Sequence, residues 1–361
     1  MTAILLVGGV FSSCRYNPVI NHPCDTCTKP CDTCNKPCDT CNLNRDSLAH
    51  AFTWKEYINA IPGDIDNRLS GVWVFGQNEI IIIGDRLWHF DGTTFTPIDA
   101  VNNTSHTSMN GGLSGFRIFA FTPTDYWLVS GSIAFHTSDG KYFDDNRKGA
   151  VNACWGTKSN DMFFVGNGGH IFHYDGTTFS DMVSNTTKNL GSVWGTSHND
   201  VWACGFNSAT GETELLHFDG NFWTENPLAT TATAHLSGLD AVWTCDSSGF
   251  PFVATSGSNV YRKTGSGLWR NDTTLVPNGL GGNNFVGIYL LSGNNATDFM
   301  GAGSWGWVGH WNGKTWKKYD ELYNYGILDY TPGALSVKGN TAYVVGVKNG
   351  QKWMAVGTRK Q

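Results

Sequence analysis

Six cysteines between residues 24 and 41 have the spacing of thiols that chelate metals or form cross-links. They form three CxxC pairs in NHPCDTCTKPCDTCNKPCDTCNLN, namely Cys24, Cys27, Cys31, Cys34, Cys38 and Cys41. Thiolates at this spacing bind Zn²⁺ or Cu(I), whereas in an oxidising compartment such dithiols become disulfides. No histidine directly follows a CxxC pair, so covalent haem attachment is not supported. The spacing predicts shared cysteine chemistry and leaves disulfide and metal open.

The segment that carries these cysteines, residues 15–44, is predicted to be a linker. Proline recurs every seventh residue, with Asp, Thr, Asn and Lys between, so the segment lacks the apolar residues needed for a core. Proline and local cross-links stiffen such a chain. We therefore expect a tether in front of a folded domain.

The chain begins with an apolar run, MTAILLVGGVFSSC, which is too short for a transmembrane helix. Its length and its small residues before Cys14 are typical of a signal sequence. The ending FSSC resembles a bacterial lipobox, although Phe11 stands where leucine is usual and no basic residue precedes the run. The resemblance implies lipidation at Cys14 and an exported protein anchored by lipid at the bacterial cell envelope or surface. A plain secretory signal, a misassigned start and a cytosolic N-terminus are the alternatives.

Histidines and acids recur along the chain at regular positions. The histidines are His89, His173, His217 and His310; the acids are Asp125, Asp161, Asp200 and Asp298. One residue of each kind per repeat would spread them round a ring, too far apart for one metal ion or for the paired carboxyls of a glycosidase. We expect these histidines and acids to hydrogen-bond turns or neighbouring repeats.

An aromatic group near the C-terminus is a candidate partner-binding platform. Trp305 and Trp307 alternate in GSWGWVG, which puts them on one side of a strand. The following connection adds Tyr323, Tyr325 and Tyr330. Such a platform suits a sugar or a protein, and ordinary packing between repeats is the alternative.

Three further cysteines, Cys154, Cys204 and Cys245, lie in or beside predicted strands of different repeats. Free cysteine is among the most buried residue types. We therefore expect buried free thiols, with a disulfide as the alternative.

A repeated unit must position all of these side chains. Residues 150–179 and 190–223 share an apolar strand, Trp-Gly-Thr, Asn-Asp, an apolar strand, His-aromatic-Asp-Gly and an aromatic strand. The turn position recurs at Glu79, Asp125, Asp161, Asp200, Gly249, Asp298 and Asn340, which gives seven units. The last unit, 333–357, has three strands, and AFTWKEYINAI at 51–61 supplies the fourth. The prediction is an all-β domain at 45–361, a seven-bladed β-propeller of four-stranded antiparallel blades closed by an N-terminal outer strand.

The turns and aromatic residues support this architecture. Asp-Gly and Asn-Gly between alternating apolar segments predict two-residue type I′ hairpins. The Asn-Asp pair of the first turn can bond its own backbone. The tryptophan or phenylalanine of each unit is expected to pack between neighbouring sheets.

The unit resembles that of bacterial propeller-repeat proteins, many of them surface lipoproteins. Their repeat contains, in order, the motifs WG, DVWAVG and HYDG and a final W. The resemblance covers most of residues 65–320 and implies architecture, because propellers host binders, lyases and hydrolases alike. HTSDGKYF also resembles the Asp-box of sialidases, but its Asp-x-Gly is contracted to Asp-Gly, so no sialidase chemistry follows.

Composition excludes one class of partner. The net charge is −6 and charged residues are 15% of the chain, so the basic surface of a nucleic-acid-binding protein is missing. No nucleophile elbow, phosphate loop or HExxH helix is present.

Three functions remain. The first is an envelope-anchored, non-enzymatic propeller that binds a protein or glycan or takes part in self-assembly. The second is a glycan hydrolase or lyase with its site on the propeller axis. The third is a metal-handling protein that uses the Cys repeats.

Overall fold

The computed structural model describes the folded part of the chain in segments. These are residues 50–62, 68–98, 113, 116–131, 133–137, 142–144, 151–207, 209–210, 212–226, 239–243, 252–255, 260–263, 269–271, 288–303, 306–322 and 331–359. The signal-like segment, the Cys-repeat linker and the start of the predicted domain lie outside them. No helix of the described residues has the length and apolar character needed to cross a membrane.

The described chain is almost entirely β-strand. The first strand is β1 (Phe52–Ile58). Blade 1 contains β2 (Gly71–Gly76), β3 (Glu79–Ile83), β4 (Leu87–Phe90) and β5 (Phe95–Ile98). Blade 2 contains β6 (Arg117–Thr122), β7 (Asp125–Ser130), β8 (Ile133–His136) and β9 (Tyr142–Asp144). Blade 3 contains β10 (Val151–Lys158), β11 (Asp161–Gly166), β12 (Ile171–Tyr174) and β13 (Phe179–Met182), with a short 3₁₀ turn at Asn167–Gly169.

The second half repeats the pattern. Blade 4 contains β14 (Asn189–Ser197), β15 (Asp200–Phe206), β16 (Thr213–Phe218) and β17 (Trp223–Glu225). Blade 5 contains β18 (Leu239–Trp243), β19 (Phe252–Thr255), β20 (Val260–Lys263) and β21 (Trp269–Asn271). Blade 6 contains β22 (Ile288–Asn295), β23 (Asp298–Gly303), β24 (Trp307–Trp311) and β25 (Trp316–Lys318). The final strands are β26 (Thr331–Lys338), β27 (Thr341–Lys348) and β28 (Gln351–Arg359).

These strands form four-stranded antiparallel sheets. Six sheets consist of consecutive strands, one for each of blades 1 to 6. The remaining sheet, blade 7, is composite and has the order β1-β28-β27-β26. The inner strands contact one another in the order β2, β6, β10, β14, β18, β22, β26 and back to β2, which closes a ring. The expected all-β propeller with four-stranded blades is confirmed.

The first strand completes the last blade, as its sequence predicts. Phe52 pairs with Arg359 and Ile58 with Trp353, so β1 runs antiparallel along β28. The strand is shorter than the predicted 51–61. Because the N-terminal and C-terminal ends of the domain share one sheet, the ring has no open seam between them.

Aromatic side chains fill the space between blades. Trp127 of blade 2 is fully buried, and its ring lies 5.1 Å from Phe164 and 5.3 Å from Tyr174 of blade 3. Its indole N–H donates to the Ser159 carbonyl of blade 3 at 3.0 Å. Trp127 therefore joins blade 2 to blade 3, and the buried residues form several apolar clusters that span neighbouring blades.

The Asp-Gly hairpins differ from the predicted type I′ turns. Between β4 and β5 the loop has four residues, and only Gly92 has a positive φ, 94°. The Asp91 carboxylate accepts the amide N–H groups of Thr93 at 2.8 Å and Thr94 at 2.7 Å. Asp175, Asp219 and Asn312 make the same pair of bonds in blades 3, 4 and 6. The side chain therefore supplies the turn acceptor, which leaves only the glycine in the left-handed region.

A buried ion pair ties the composite blade to blade 1. Lys352 is 1% exposed and Asp85 is 5% exposed, and Lys352 Nζ lies 3.3 Å from Asp85 Oδ1. Lys352 Nζ also donates to the Pro62 carbonyl at 3.1 Å. The pair joins the start of β28 to the turn between β3 and β4.

Candidate functional site

A histidine–carboxylate contact recurs at the rim formed by the first and third turns of the blades. In five blades of the described chain, the histidine nitrogen lies 2.7 to 3.0 Å from a carboxylate oxygen; the pairs are His89–Glu79, His136–Asp125, His173–Asp161, His217–Asp200 and His310–Asp298. The expectation that these histidines have structural partners is confirmed.

Strand register explains the recurrence. The acid begins the second strand of its blade, and the histidine faces the residue two positions later, as His173 faces Phe163. Residues two apart on a strand share a face, so acid and histidine are diagonal neighbours. The same register places His136 opposite Trp127, two residues after Asp125. In the sequence His136 stands three residues before Asp139, whereas His173 stands two before Asp175, and this difference hides the equivalence.

The carboxylates are held by several donors at once. Thr157 donates to Asp161 Oδ2, and Thr196 donates to Asp200 Oδ2. Burial alone raises the pKa of Asp161, but hydrogen bonds from His173, Thr157 and His198 outweigh it and hold this pKa well below its usual range. An acid that stays ionised at neutral pH cannot serve as a general acid. The structural interpretation of these acids is supported, but their bonds run to side chains rather than to their own turn backbone.

One rim position collects a second histidine. His198 lies in the turn between β14 and β15 of blade 4, and its Nδ1 is 2.8 Å from Asp161 Oδ1 of blade 3. His173 Nε2 is 2.7 Å from the same oxygen. The three ligand atoms all lie within 4.8 Å of one another. Asp161, His173 and His198, which we call the rim triad, are the group of the described residues whose donor atoms could hold a metal ion.

The rim triad is half open to solvent. The side chain of His198 is 48% exposed, whereas those of His173 and Asp161 are 18% and 20% exposed. The Phe163 ring lies 4.7 Å from the His173 ring and 5.5 Å from the His198 ring. An apolar floor therefore supports both imidazoles, and one side remains accessible.

Sequence reasoning missed His198 because it occurs once. It replaces Ser159 of the preceding unit, within TSHND against TKSND. The sequence signal that could have identified His198 is this departure from the repeat.

At the junction of blades 6 and 7 an arginine takes the place of His198. Arg359, at the end of β28, donates Nη1 to Asp298 Oδ2 at 3.2 Å and Nη2 to Asp298 Oδ1. Its backbone N–H bonds the Asn340 carbonyl at 2.8 Å, beside the turn between β26 and β27. Burial opposes the effect, but the bonds from His310, Arg359 and Asn294 lower the pKa of Asp298.

A groove of about 270 Å³ lies where blade 7 meets blade 1. Its lining, which we call the seam groove, consists of Thr53, Trp54, Lys55, Tyr57, Gln77, Asn78, Phe90, Gly92, Thr341, Tyr343, Val356 and Thr358. The Tyr343 hydroxyl donates to the Gln77 carbonyl at 2.9 Å, and burial raises the pKa of Tyr343 to about 12. The Trp54 indole nitrogen is buried and has no hydrogen-bond partner in the described part of the chain. The groove thus combines aromatic surface, hydroxyl groups and one cation, Lys55.

Aromatic side chains occupy the middle of the ring. Trp73, Phe119 and Trp194 come from the inner strands of blades 1, 2 and 4, with ring centroids 4.9 Å apart for the first pair and 5.8 Å for the second. Over the described inner strands the sequence supplies one acid, Asp240. The carboxyl pair of a glycosidase on the axis would need two.

The predicted aromatic platform is corrected at Trp307. Its side chain is fully buried, as is every other residue of β24. The Trp307 ring centroid lies 5.6 Å from that of Trp316. Trp305, Tyr323, Tyr325 and Tyr330 lie outside the described residues, as do Cys14, Cys245 and the six repeat cysteines. Cys154 and Cys204 are buried thiols outside any disulfide, as expected, and burial raises the pKa of Cys154.

Solved structures with the same architecture are found, although no protein-family model and no curated protein matches the chain. YCF48 bound to D1 peptide has a TM-score of 0.60 and 15% identity, covering 85% of this chain and 96% of its own. YCF48 from Cyanidioschyzon merolae has a TM-score of 0.59 and 15% identity over 85% and 98% of the two chains. The RRP9 WD40 repeats have a TM-score of 0.59 and 8% identity over 84% and 97%. These likenesses show the propeller fold.

Proposed function

We propose that this propeller is a non-enzymatic scaffold that binds an extended segment of a protein partner in the seam groove. The observation that carries the proposal is the groove itself, a concave surface where blade 7 meets blade 1. One of the similar propellers, YCF48, has been solved bound to a peptide, which supports this class of partner.

The groove's floor is one face of a sheet. Thr53, Lys55 and Tyr57 alternate along β1 and therefore share a face. At about 270 Å³ the groove is smaller than most small-molecule pockets, which span about 300–1,000 Å³. It has room for a few side chains of an extended peptide.

The lining specifies the chemistry of the segment. Tyr57 offers aromatic surface, and its ring packs against the buried Phe90 ring with centroids 5.5 Å apart. Lys55 Nζ sits 4.6 Å from the centre of the Tyr57 ring. We expect an aromatic or aliphatic residue beside an acidic one.

The position of the protein in the cell belongs to the same proposal. Lipid at Cys14 would anchor the chain at the bacterial envelope, and the Cys-repeat linker would hold the propeller away from the membrane. Intact mass of the native protein measures cleavage, acylation, disulfides and bound metal in one experiment. A mass that retains residues 1–13 would contradict lipid anchoring.

Peptide display tests the groove. Peptides selected on the wild-type full chain should lose about tenfold or more in affinity on Gln77→Glu, which repels an acidic residue, since about 1.4 kcal/mol corresponds to tenfold. Gln77 is an exposed groove residue whose backbone alone bonds Tyr343. Thr177→Glu places the same side chain on an exposed turn of blade 3 and should leave affinity unchanged. Equal affinity for both variants would place binding elsewhere.

A further inference from the structure

We propose that the rim triad binds a divalent transition-metal ion of the Zn²⁺ class and so links blade 3 to blade 4. Asp161 and His173 belong to blade 3, and His198 belongs to blade 4. The site is separate from the Cys repeats and from the seam groove.

The donor set suits such an ion. Two imidazole nitrogens and one carboxylate oxygen are ligands of open Zn²⁺ sites, at about 2.0–2.2 Å from the metal. A tetrahedral ion at these distances separates its ligands by about 3.4 Å, and the three donor atoms already lie within 4.8 Å of one another. The two histidine nitrogens lie 2.7 and 2.8 Å from Asp161 Oδ1, so they must move outward to admit the ion, and the exposed His198 side chain has room to do so.

The carboxylate is already oriented for the task. Thr157 holds Asp161 Oδ2, which leaves Oδ1 for the two histidines. Hydrogen bonds of this kind to the free oxygen of a ligand are typical supports of metal sites. Without metal, both imidazoles donate N–H to Oδ1; on binding, each proton moves to the other ring nitrogen through solvent and the freed lone pair coordinates the ion.

Another junction of the same ring shows that this position accepts a cation. Arg359 places a guanidinium on Asp298 beside His310, at the blade 6–7 junction. Asp200 of blade 4 instead uses Oδ1 to accept His217 at 2.9 Å and the Trp202 indole N–H at 3.0 Å. At the blade 3–4 junction the corresponding position holds His198, a metal-ligand side chain, whereas at the blade 6–7 junction it holds the cation of Arg359.

Zinc titration of the full chain tests the proposal. Iodoacetamide, applied to the folded protein, first blocks the reduced thiols of the Cys repeats. Cys154 and Cys204 stay unmodified because they are buried. Calorimetry with ZnCl₂ on an untagged chain should then give one ion per protein, reversed by a chelator. Losing a residue that merely supports a ligand costs about 10- to 100-fold in affinity, so His198→Asn, which removes a ligand, should cost at least that.

A matched variant separates the rim triad from other histidines. His89→Asn removes a rim histidine whose acid, Glu79, has no third donor within the same distance among the described residues, and it should retain wild-type affinity. Circular dichroism confirms that both variants are folded. A Co²⁺ complex should show d–d absorption without thiolate charge transfer. No binding by the thiol-blocked chain, or equal affinity in wild type and His198→Asn, would overturn the proposal.

Discussion

The buried pair between Lys352 and Asp85 offers a test of how blade 7 is fixed to blade 1. Replacing Lys352 by methionine keeps the length of the side chain and removes its charge. Asp85 then stays buried without its partner. At 3.3 Å the attraction between unit charges is about 5 kcal/mol for an effective dielectric constant of about 20.

We expect Lys352→Met to lower the free energy of unfolding by about 3–5 kcal/mol, the usual cost of removing one member of a buried pair. Lys318→Met is the control, because Lys318 and Asp320 form a pair whose side chains are 30% and 79% exposed. Exposed pairs contribute about 0–1 kcal/mol. Urea unfolding followed by tryptophan fluorescence measures both.

The double variant Lys352→Met with Asp85→Asn sharpens the test. Removing both charges should cost less than the sum of the single changes by about 0.5–3 kcal/mol, since the second change relieves the charge left by the first. Strict additivity, or a Lys352→Met cost no larger than that of Lys318→Met, would refute the assigned role of the pair.

Three further outcomes are expected. Gly205→Ala places a Cβ on the Asn189 carbonyl oxygen and should destabilise by about 1–3 kcal/mol, whereas Gly191→Ala meets open space; thermal melting compares them, and equal melting temperatures would contradict the packing. The pKa of Asp298 is lowered in the folded protein, so the carboxylate stabilises the fold above the unfolded-state pKa of about 3.9, and this stabilisation is lost as pH falls. In urea melts, the difference in stability between wild type and Asp298→Asn should therefore shrink below about pH 4. A difference that stays constant with pH would contradict this. Deleting residues 50–58 should abolish cooperative unfolding, and a synthetic peptide of those residues should bind the truncated chain, as fluorescence anisotropy would show. Cooperative unfolding of the truncated chain with wild-type stability would mean that β1 is dispensable.

The repeat predicted most of the fold. Turn acids, paired glycines and aromatic strands recur closely enough to locate the sheets and to match β1 to β28. The turn type was wrong because Asp91 satisfies the loop with its side chain, which a two-residue pattern does not distinguish.

The candidate sites were less accessible to sequence reasoning. Period-two spacing put Trp307 on a surface, but neighbouring blades cover both faces of β24, so alternation carries no information there. The rim triad depends on the packing of blade 4 beside blade 3, and only a diagonal register brings His173 to Asp161. The seam groove joins segments far apart in the chain.

The composite blade has a consequence for biogenesis. Thr53 pairs with Thr358, so the residues that fasten the ring are among the earliest and latest of the domain to leave the ribosome. Until the last strand emerges, β1 has no edge on which to dock, and the growing chain keeps an unpaired strand throughout its synthesis. A chain released before β28 is made therefore keeps β1 without its sheet partner, and synthesis of β28 is the step that closes the ring.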